Sequence, residues 1–330
     1  MICPKLICQR DFFLRPAFFR LLAPLFAVAA LSACGGDSSD PVIPQSGEAE
    51  FSMTDAPADD VAAVHLTIDR VQLKQSGGAT VDIQLEEPVV FEDLLALQGS
   101  SSALLLPERS YPAGGYEWIR LYVVGGGDDS YVVTDQGGQV DLFVPGQQVP
   151  GTSRFVQLVS GFTIAAGGSV DYTIDVDLRK ALTKPQGKDY YLLRPAMRIV
   201  DNSNTGSISG TVDAALLDDP SCSNDLVADE GNAVYLFDGE GTGDVVVDSN
   251  GEAVTETTPV SVALVTQNTI SGEYEYELGF VAAGEYTVAL TCQALDDAPE
   301  TDDEISFLQQ AAVSFDAGAD ATQDFTATAP

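Results

Sequence analysis

After residue 49 the chain alternates apolar and polar side chains with a period of two, a pattern that suits half-buried strands and excludes a mainly helical fold. Val64, Leu66 and Ile68 alternate with His65, Thr67 and Asp69. The apolar parity then shifts to Val71 and Leu73, which predicts a β-bulge near Asp69-Arg70. Ser76-Gly77-Gly78 reads as a hairpin turn into a strand over 80–85, and further strands are expected at 116–124, 130–134, 139–144, 154–164, 170–178 and 190–199. Helical spacing is confined to Phe91, Leu94, Leu95 and Leu97, so the pattern allows at most one short helix near 89–98. The expected class is all-β, with two β-sandwich-like domains.

The boundary between them is expected at 201–206, where Asp201-Asn-Ser-Asn-Thr-Gly206 forms a polar turn cluster, separating a domain at 49–200 from one at 207–330. Charge changes at the same place. The chain carries 50 Asp and Glu against 15 Lys and Arg, a net charge of −35. Residues 1–33 contribute +3, residues 34–201 contribute −13 and residues 202–330 contribute −25, and this last part contains no Lys, Arg or His. Such a charge repels a phosphate backbone and excludes nucleic acid as a partner. In the acidic part, strands are expected at 208–214, 233–237, 245–248 turning at Asn250-Gly251, 260–266, 273–280 and 286–292. Glu273, Glu275 and Glu277 alternate with Tyr274, Tyr276 and Leu278, which reads as one wet face and one buried face. Tyr286, Val288, Leu290 and Cys292 share one parity, so Cys292 is expected in the core.

The N-terminus carries an address. Arg10, Arg15 and Arg20 precede a short apolar run over 21–33 that Pro24 interrupts, too short for a bilayer span of about 20 residues and matching a removable signal peptide over 1–33. The run ends in Leu31-Ser32-Ala33-Cys34, which resembles the lipobox of bacterial lipoproteins. That resemblance implies a mature chain that begins at Cys34, is acylated there and is held in the membrane by lipid. Gly35 rather than Asp follows the cysteine, which in lipoprotein families favours the outer membrane. Residues 34–48, rich in Gly, Ser, Asp and Pro, read as a flexible tether. Of five cysteines, Cys3 and Cys8 leave with the signal and Cys34 takes lipid. The remaining pair, Cys222 and Cys292, is expected to form a disulfide, since two thiolates without a nearby His make a poor zinc site.

Four blocks carry a family resemblance: Glu50-Phe-Ser-Met-Thr-Asp-Ala-Pro-Ala58, Val64 to Leu73, Tyr111-Pro-Ala-Gly-Gly-Tyr-Glu-Trp-Ile-Arg-Leu121 and Tyr190-Tyr-Leu-Leu-Arg-Pro195. In this order they resemble the bacterial lipoprotein family called domain of unknown function 4382, over residues 49–200. The resemblance implies a fold and no catalytic residue. Gly206-Ser-Ile-Ser-Gly-Thr-Val212 and Val281-Ala-Ala-Gly-Glu-Tyr-Thr-Val-Ala-Leu290 look like a prealbumin-like or carboxypeptidase-regulatory-like β-sandwich.

No catalytic signature accompanies these features. The chain has one histidine, His65, which the alternation places on the solvent side of its strand, where Ser-His-Asp or Cys-His chemistry finds no partner. Calcium is the better use for so many carboxylates, because it takes several oxygen ligands on loops. The candidate ligands are Asp55 with Asp59 and Asp60, Asp128 with Asp129, and Asp296 and Asp297 with Asp302, Asp303 and Glu304. The loop starting at Asp238 begins like an EF-hand but has Ser249 where a bidentate Glu is needed. Tyr116, Trp118 and Tyr122 share one strand parity, with Arg120 between them, a candidate platform for a sugar ring. The expected function is a non-enzymatic binding or structural module of the cell envelope, with an envelope protein or a glycan as partner. The alternatives are a carbohydrate-binding module or a carboxylate-dependent polysaccharide hydrolase, and a calcium-stabilised surface adhesion module.

Overall fold

In the computed structural model, which describes residues 45–56, 61–226, 229–243, 258–298 and 301–327, the alternating segments pair into sheets. The first half contains β1 (Ser46–Ala56), β2 (Val61–Gln75), β3 (Thr80–Phe91), β4 (Ala103–Pro112), β5 (Gly114–Gly125), β6 (Tyr131–Thr134) and β7 (Gln139–Phe143). It continues with β8 (Thr152–Leu158), β9 (Phe162–Ile164), β10 (Ser169–Asp177), the short helix α1 (Leu178–Ala181), β11 (Leu182–Thr183), β12 (Tyr190–Leu193) and β13 (Met197–Asp201). Strands β13, β10, β1 and β4 form one sheet in that order. A larger one runs β11-β12-β7-β6-β2-β5-β8, with β3 also on β2 and β9 on β5. Phe51 at the centre of the shared core meets Tyr111, Phe162 and Tyr172 at 5.7–5.9 Å between ring centroids.

The bulge expected at Asp69-Arg70 is present. Ile68 pairs with Val123 and Arg70 with the next residue, Tyr122, so Asp69 is the extra residue. Ile68, Val71 and Leu73 therefore all stay in the core. The hairpin turn at Ser76-Gly77-Gly78 also forms, with Gly77 at φ +63°, a conformation glycine adopts without steric cost. Where a short helix was expected near 89–98, β3 runs on to Phe91 because Val89, Val90 and Phe91 pair with β2. Only a 3-10 turn at Leu94–Ala96 remains, capped by Asp93, whose Oδ1 accepts from the N–H groups of Leu95 and Val64. The strand expected over 190–199 breaks between β12 and β13 at Pro195, which has no N–H to give to a ladder. Strand β4 escapes the alternation rule: adjacent Leu105 and Leu106 are both buried, because its pairing with β1 is irregular.

The second half contains β14 (Thr205–Val212), α2 (Ala214–Leu217), β15 (Ala233–Asp238), β16 (Ser261–Leu264), β17 (Thr266–Gln267), β18 (Tyr274–Ala282), β19 (Gly284–Thr291), β20 (Gln309–Phe315) and β21 (Ala321–Thr322). Sheets β17-β18-β14-β21 and β16-β15-β19-β20 enclose one core that includes Ile208, Val234, Leu236, Tyr276, Leu278 and Val288, a β-sandwich. Tyr274, Tyr276 and Leu278 are buried while Glu273 and Glu277 are exposed, as their alternation implies. Cys292 is in the core and bonded to Cys222, with the Cα atoms 5.1 Å apart. The strand expected at 245–248, the signal peptide 1–33, Cys34, Asp59 and Asp60 lie outside the described residues.

Two boundaries differ from the expected ones. Strand β1 starts at Ser46, inside the stretch read as tether. At 201–206, β13 passes through a 3-10 turn at Asn202–Asn204 into β14, with Asp201 capping Ser203, so strand follows strand. Residues 43–330 form one compact unit. The two halves approach closely enough that a Cβ on Gly279 would sit 1.9 Å from the carbonyl oxygen of Gly99. Buried Arg179 of α1 reaches across to the second half, donating to the Tyr235 hydroxyl at 2.5 Å and to the carbonyl oxygens of Ala294 and Asp297 at 2.5 and 3.1 Å. Beside it, Lys180 donates to the Pro259 carbonyl at 2.8 Å.

Candidate functional site

From Arg70 onward along β2, the outer face of the sheet formed by β3, β2, β5 and β8 is half-exposed to exposed, and its side chains form a ladder of cations and aromatic rings. On β5, Ile119, Leu121 and Val123 fill the core, so Trp118, Arg120 and Tyr122 must point outward. The bulge at Asp69 sets Arg70, Gln72 and Lys74 on the same outer side of β2, opposite Tyr122, Arg120 and Trp118 respectively. On β8, Phe155 lies opposite Tyr122 and Gln157 opposite Arg120.

The contacts run across the strands without a break. The Arg120 guanidinium lies 4.1 Å from the Trp118 ring centroid and 4.2 Å from that of Phe155, and its Nε donates to Gln157 Oε1 at 2.7 Å. Phe155 packs against Tyr122 at 5.5 Å, and Arg70 covers the Tyr122 ring at 4.8 Å. The Tyr122 hydroxyl donates to Gln72 Oε1 at 3.0 Å. Arg70 also grips Asp82 of β3 with two hydrogen bonds, Nε to Oδ1 at 2.6 Å and Nη2 to Oδ2 at 2.5 Å. The hydrogen bond from Arg70 holds the Asp82 carboxyl below its ordinary range. Phe155 is 37% exposed, unusual for a phenylalanine held between two other side chains. Flat aromatic faces, planar guanidinium groups and primary amides together suit hydroxyl-bearing and anionic groups on an extended ligand.

Tyr116, expected on the same platform, is not part of it. Gln75 pairs with Tyr116 and Lys74 with Trp118, so Glu117 is an extra residue that turns Tyr116 over. Its ring is 1% exposed, stacks on Phe162 at 4.9 Å and sends its hydroxyl to the Pro112 carbonyl at 2.7 Å. His65, expected to face solvent, is 7% exposed: its ring stacks on Tyr131 at 4.6 Å and Nδ1 lies 3.3 Å from the Glu92 carbonyl. The loop carrying Asp93 covers this end of β2, so both of its faces are inside. Phe155, Gln157, Arg70, Gln72 and Asp82 join Trp118 and Tyr122 only through strand register. The one local signal for them is Phe155, an aromatic of the opposite parity to buried Val156 and Leu158.

The proposed calcium ligands are dispersed. Asp128 is exposed at the Gly126–Ser130 turn, where the neighbouring Asp129 uses its carbonyl to accept from Thr67 Oγ1 at 2.5 Å. Asp296 is exposed, while buried Asp297 accepts from Tyr235 and lies 3.6 Å from Arg179. Asp303 Oδ2 accepts from the Ala298 N–H and the Thr301 hydroxyl, with Asp302 and Glu304 exposed on either side. Asp55 is buried beneath α1. Among the described residues, no three His, Cys, Asp or Glu side chains come together as a metal site.

The strand pairing and the ladder define an all-β chain with a sandwich in its second half and an open sheet face in its first. Residues 46–195, which include β1 to β12 and the whole ladder, match the family described as Domain of unknown function (DUF4382). No curated protein matches the chain. Among solved structures, the Bacillus anthracis TIE protein is similar at 10% identity over 84% of this chain and 34% of that one, with a TM-score of 0.16. The chain thus spans about a third of that protein's length. The minor pilin GBS52 of Streptococcus agalactiae is similar at 11% identity over 85% of this chain and 98% of that one, TM-score 0.18. BcpA, the major pilin subunit of Bacillus cereus, is similar at 9% identity over 84% and 69%, TM-score 0.17. At such scores the fold rests on the pairing described above and not on these likenesses. Among the described residues no helix is long and apolar enough to cross a membrane.

Proposed function

We propose that the chain is a non-enzymatic cell-envelope module, anchored by lipid at Cys34 at the outer membrane, whose first domain binds an extended glycan on the outer sheet face. The observation that supports this most directly is the continuous, half-exposed ladder Asp82–Arg70–Tyr122–Phe155–Arg120–Trp118. Such a surface stabilises bound sugar by stacking and by charge-assisted hydrogen bonds at once. Its flatness suits a polymer lying across several strands and gives no enclosure for chemistry that must exclude water. Arg120 lies between two rings and is bonded to a neutral amide, so it keeps a full positive charge for an acidic sugar.

The test has two arms. On a glycan array, the native chain binds at least one polysaccharide, and Trp118→Ala or Arg120→Ala loses that binding by about tenfold or more while melting normally, the scale of one lost stacking or charged contact. In cell fractions, Cys34→Ala moves the protein from membrane to soluble material. Absence of binding to every glycan, or release of new reducing ends from a bound one, overturns the reading.

A further inference from the structure

Strand β8 ends the large sheet, and among the described residues its far edge pairs with no strand. A free edge presents a row of backbone N–H and C=O groups that template a further strand, and proteins that keep an edge free blunt it with charge, proline or a bulge. Strand β3, at the opposite side of the same outer face, is blunted in all three ways: Glu86, Glu87 and Pro88 lie in a stretch that leaves the pairing between Gln84 and Val89. Edge strand β4 carries Pro107, Glu108 and Arg109 and pairs irregularly with β1. Strand β8 has no proline and no acid, and its register with β5 runs from Thr152 to Leu158 without a shift.

Apolar side chains reach water along this same strand and its flanks. Val149 is 60% exposed and Val159 73%, with Phe155 between them. Charge singles out the segment as well. Residues 142–170 contain no Asp or Glu and one charge, Arg154, the longest stretch without an acid after residue 49. Two copies of a chain with a net charge of −35 repel wherever carboxylates face carboxylates, so this acid-free edge is where a second copy can approach.

We propose that two copies of the chain pair antiparallel through β8, about a two-fold axis at Phe155. Such an axis makes the interface self-complementary and closes the assembly at two. The residues choose the register. An axis at Arg154 would set two guanidinium groups directly opposite each other, which destabilises a strand pair, whereas an axis at Phe155 sets ring against ring on the outer face and Arg154 against Val156 on the other. The same axis brings Val159 of one copy over Gly151 of the other, where a Cβ would meet nothing within 4 Å. Ser153 then lies opposite Gln157, and the two ladders join across the axis into one face. The interface is small, so the dimer is expected to be weak, with a Kd of about 10 µM. Mooring of both copies on one membrane raises their effective concentration.

Cysteine cross-linking of the full chain tests the register, because opposed Cα atoms in an antiparallel pair lie about 4.5–5.5 Å apart, within disulfide reach. Under mild oxidation with diamide, Phe155→Cys is expected to give a covalent dimer that the native chain does not. Ser153→Cys with Gln157→Cys in one chain gives it too, and neither alone does, since the two copies of Ser153 are about 14 Å apart. That pair decides the matter if Phe155→Cys does not fold. Thr80→Cys, exposed on β3, is expected to stay monomeric. Sedimentation velocity of the full chain carrying Cys34→Ala, at about 0.15 M salt and from about 1 to 100 µM, should show a monomer–dimer equilibrium. Val149→Glu with Val159→Glu weakens it about tenfold or more and leaves glycan-array binding through Trp118 as it was, so a failure here and a failure of the glycan reading are told apart. A single species of monomer mass at the highest concentration overturns the proposal. So does cross-linking at Thr80 as ready as at Phe155, a Phe155→Cys cross-link to a different protein in place of a second copy, or native dimerisation in the double glutamate variant.

Discussion

Asp55 is a carboxyl almost without water, and it shows how much one residue's setting depends on strands far from it in sequence. Burial raises its pKa well above the ordinary carboxylate value, Asp175, Asp177 and Asp93 add to the rise, and the Leu178 N–H opposes it. In the unfolded chain the same group ionises in the ordinary carboxylate range. Between that range and the raised native value the folded state holds a proton that the unfolded state has lost, so stability falls as pH rises through the interval. Asp55→Asn mimics the protonated form and keeps an acceptor for Leu178. It is expected to melt above the native chain at neutral pH and with it at about pH 3, below the carboxylate range. Parallel melting curves across that span would show that Asp55 does not titrate with folding. Some single-residue features were readable from the sequence: Cys292 shares its parity with Leu290 and lies in the core. Tyr116 was not readable, because the extra residue at Glu117 reverses its face and nothing local announces it.

At the level of elements, strands with clean alternation, such as β10 and β18, follow from their residues within a position or two. Those that depart from it fail for identifiable reasons. Strand β4 buries consecutive leucines through irregular pairing with β1, and β3 persists to Phe91 because β2 supplies partners that helical spacing cannot foresee. The ladder is legible only in part for the same reason: Trp118, Arg120 and Tyr122 come from one strand, while Arg70 and Phe155 arrive through register. The disulfide acts at this scale too. It ties the loop after α2 to the end of β19 across a sequence separation of 70 residues. On the chain-entropy account such a link stabilises by about 4 kcal/mol. Melting with and without reductant checks it, and the Cys222→Ser, Cys292→Ser double variant should melt lower than the oxidised chain and be unaffected by reductant. An unchanged melting temperature on reduction would falsify the bridge's role as the staple of the second half.

For the whole molecule, the two halves recognised from a polar cluster and a change of charge are joined more firmly than that boundary implies. Arg179 sits at the centre of the junction, with Tyr235 and the Asp297 carboxylate, whose Oδ2 accepts from Tyr235 at 2.5 Å. Arg179→Met removes the guanidinium from a buried carboxylate and is expected to cost about 3–5 kcal/mol. Denaturant unfolding should then separate into two transitions where the native chain shows one, and a single unshifted transition would remove the junction from the account. The central place of β1 has a mechanical consequence. It lies between β10, which runs parallel to it, and β4, so a pull on the residues before Ser46 is directed along a strand bonded at both sides. Load of that kind shears many hydrogen bonds together instead of peeling them off singly. A chain moored by its N-terminus would thus meet drag with its most resistant geometry.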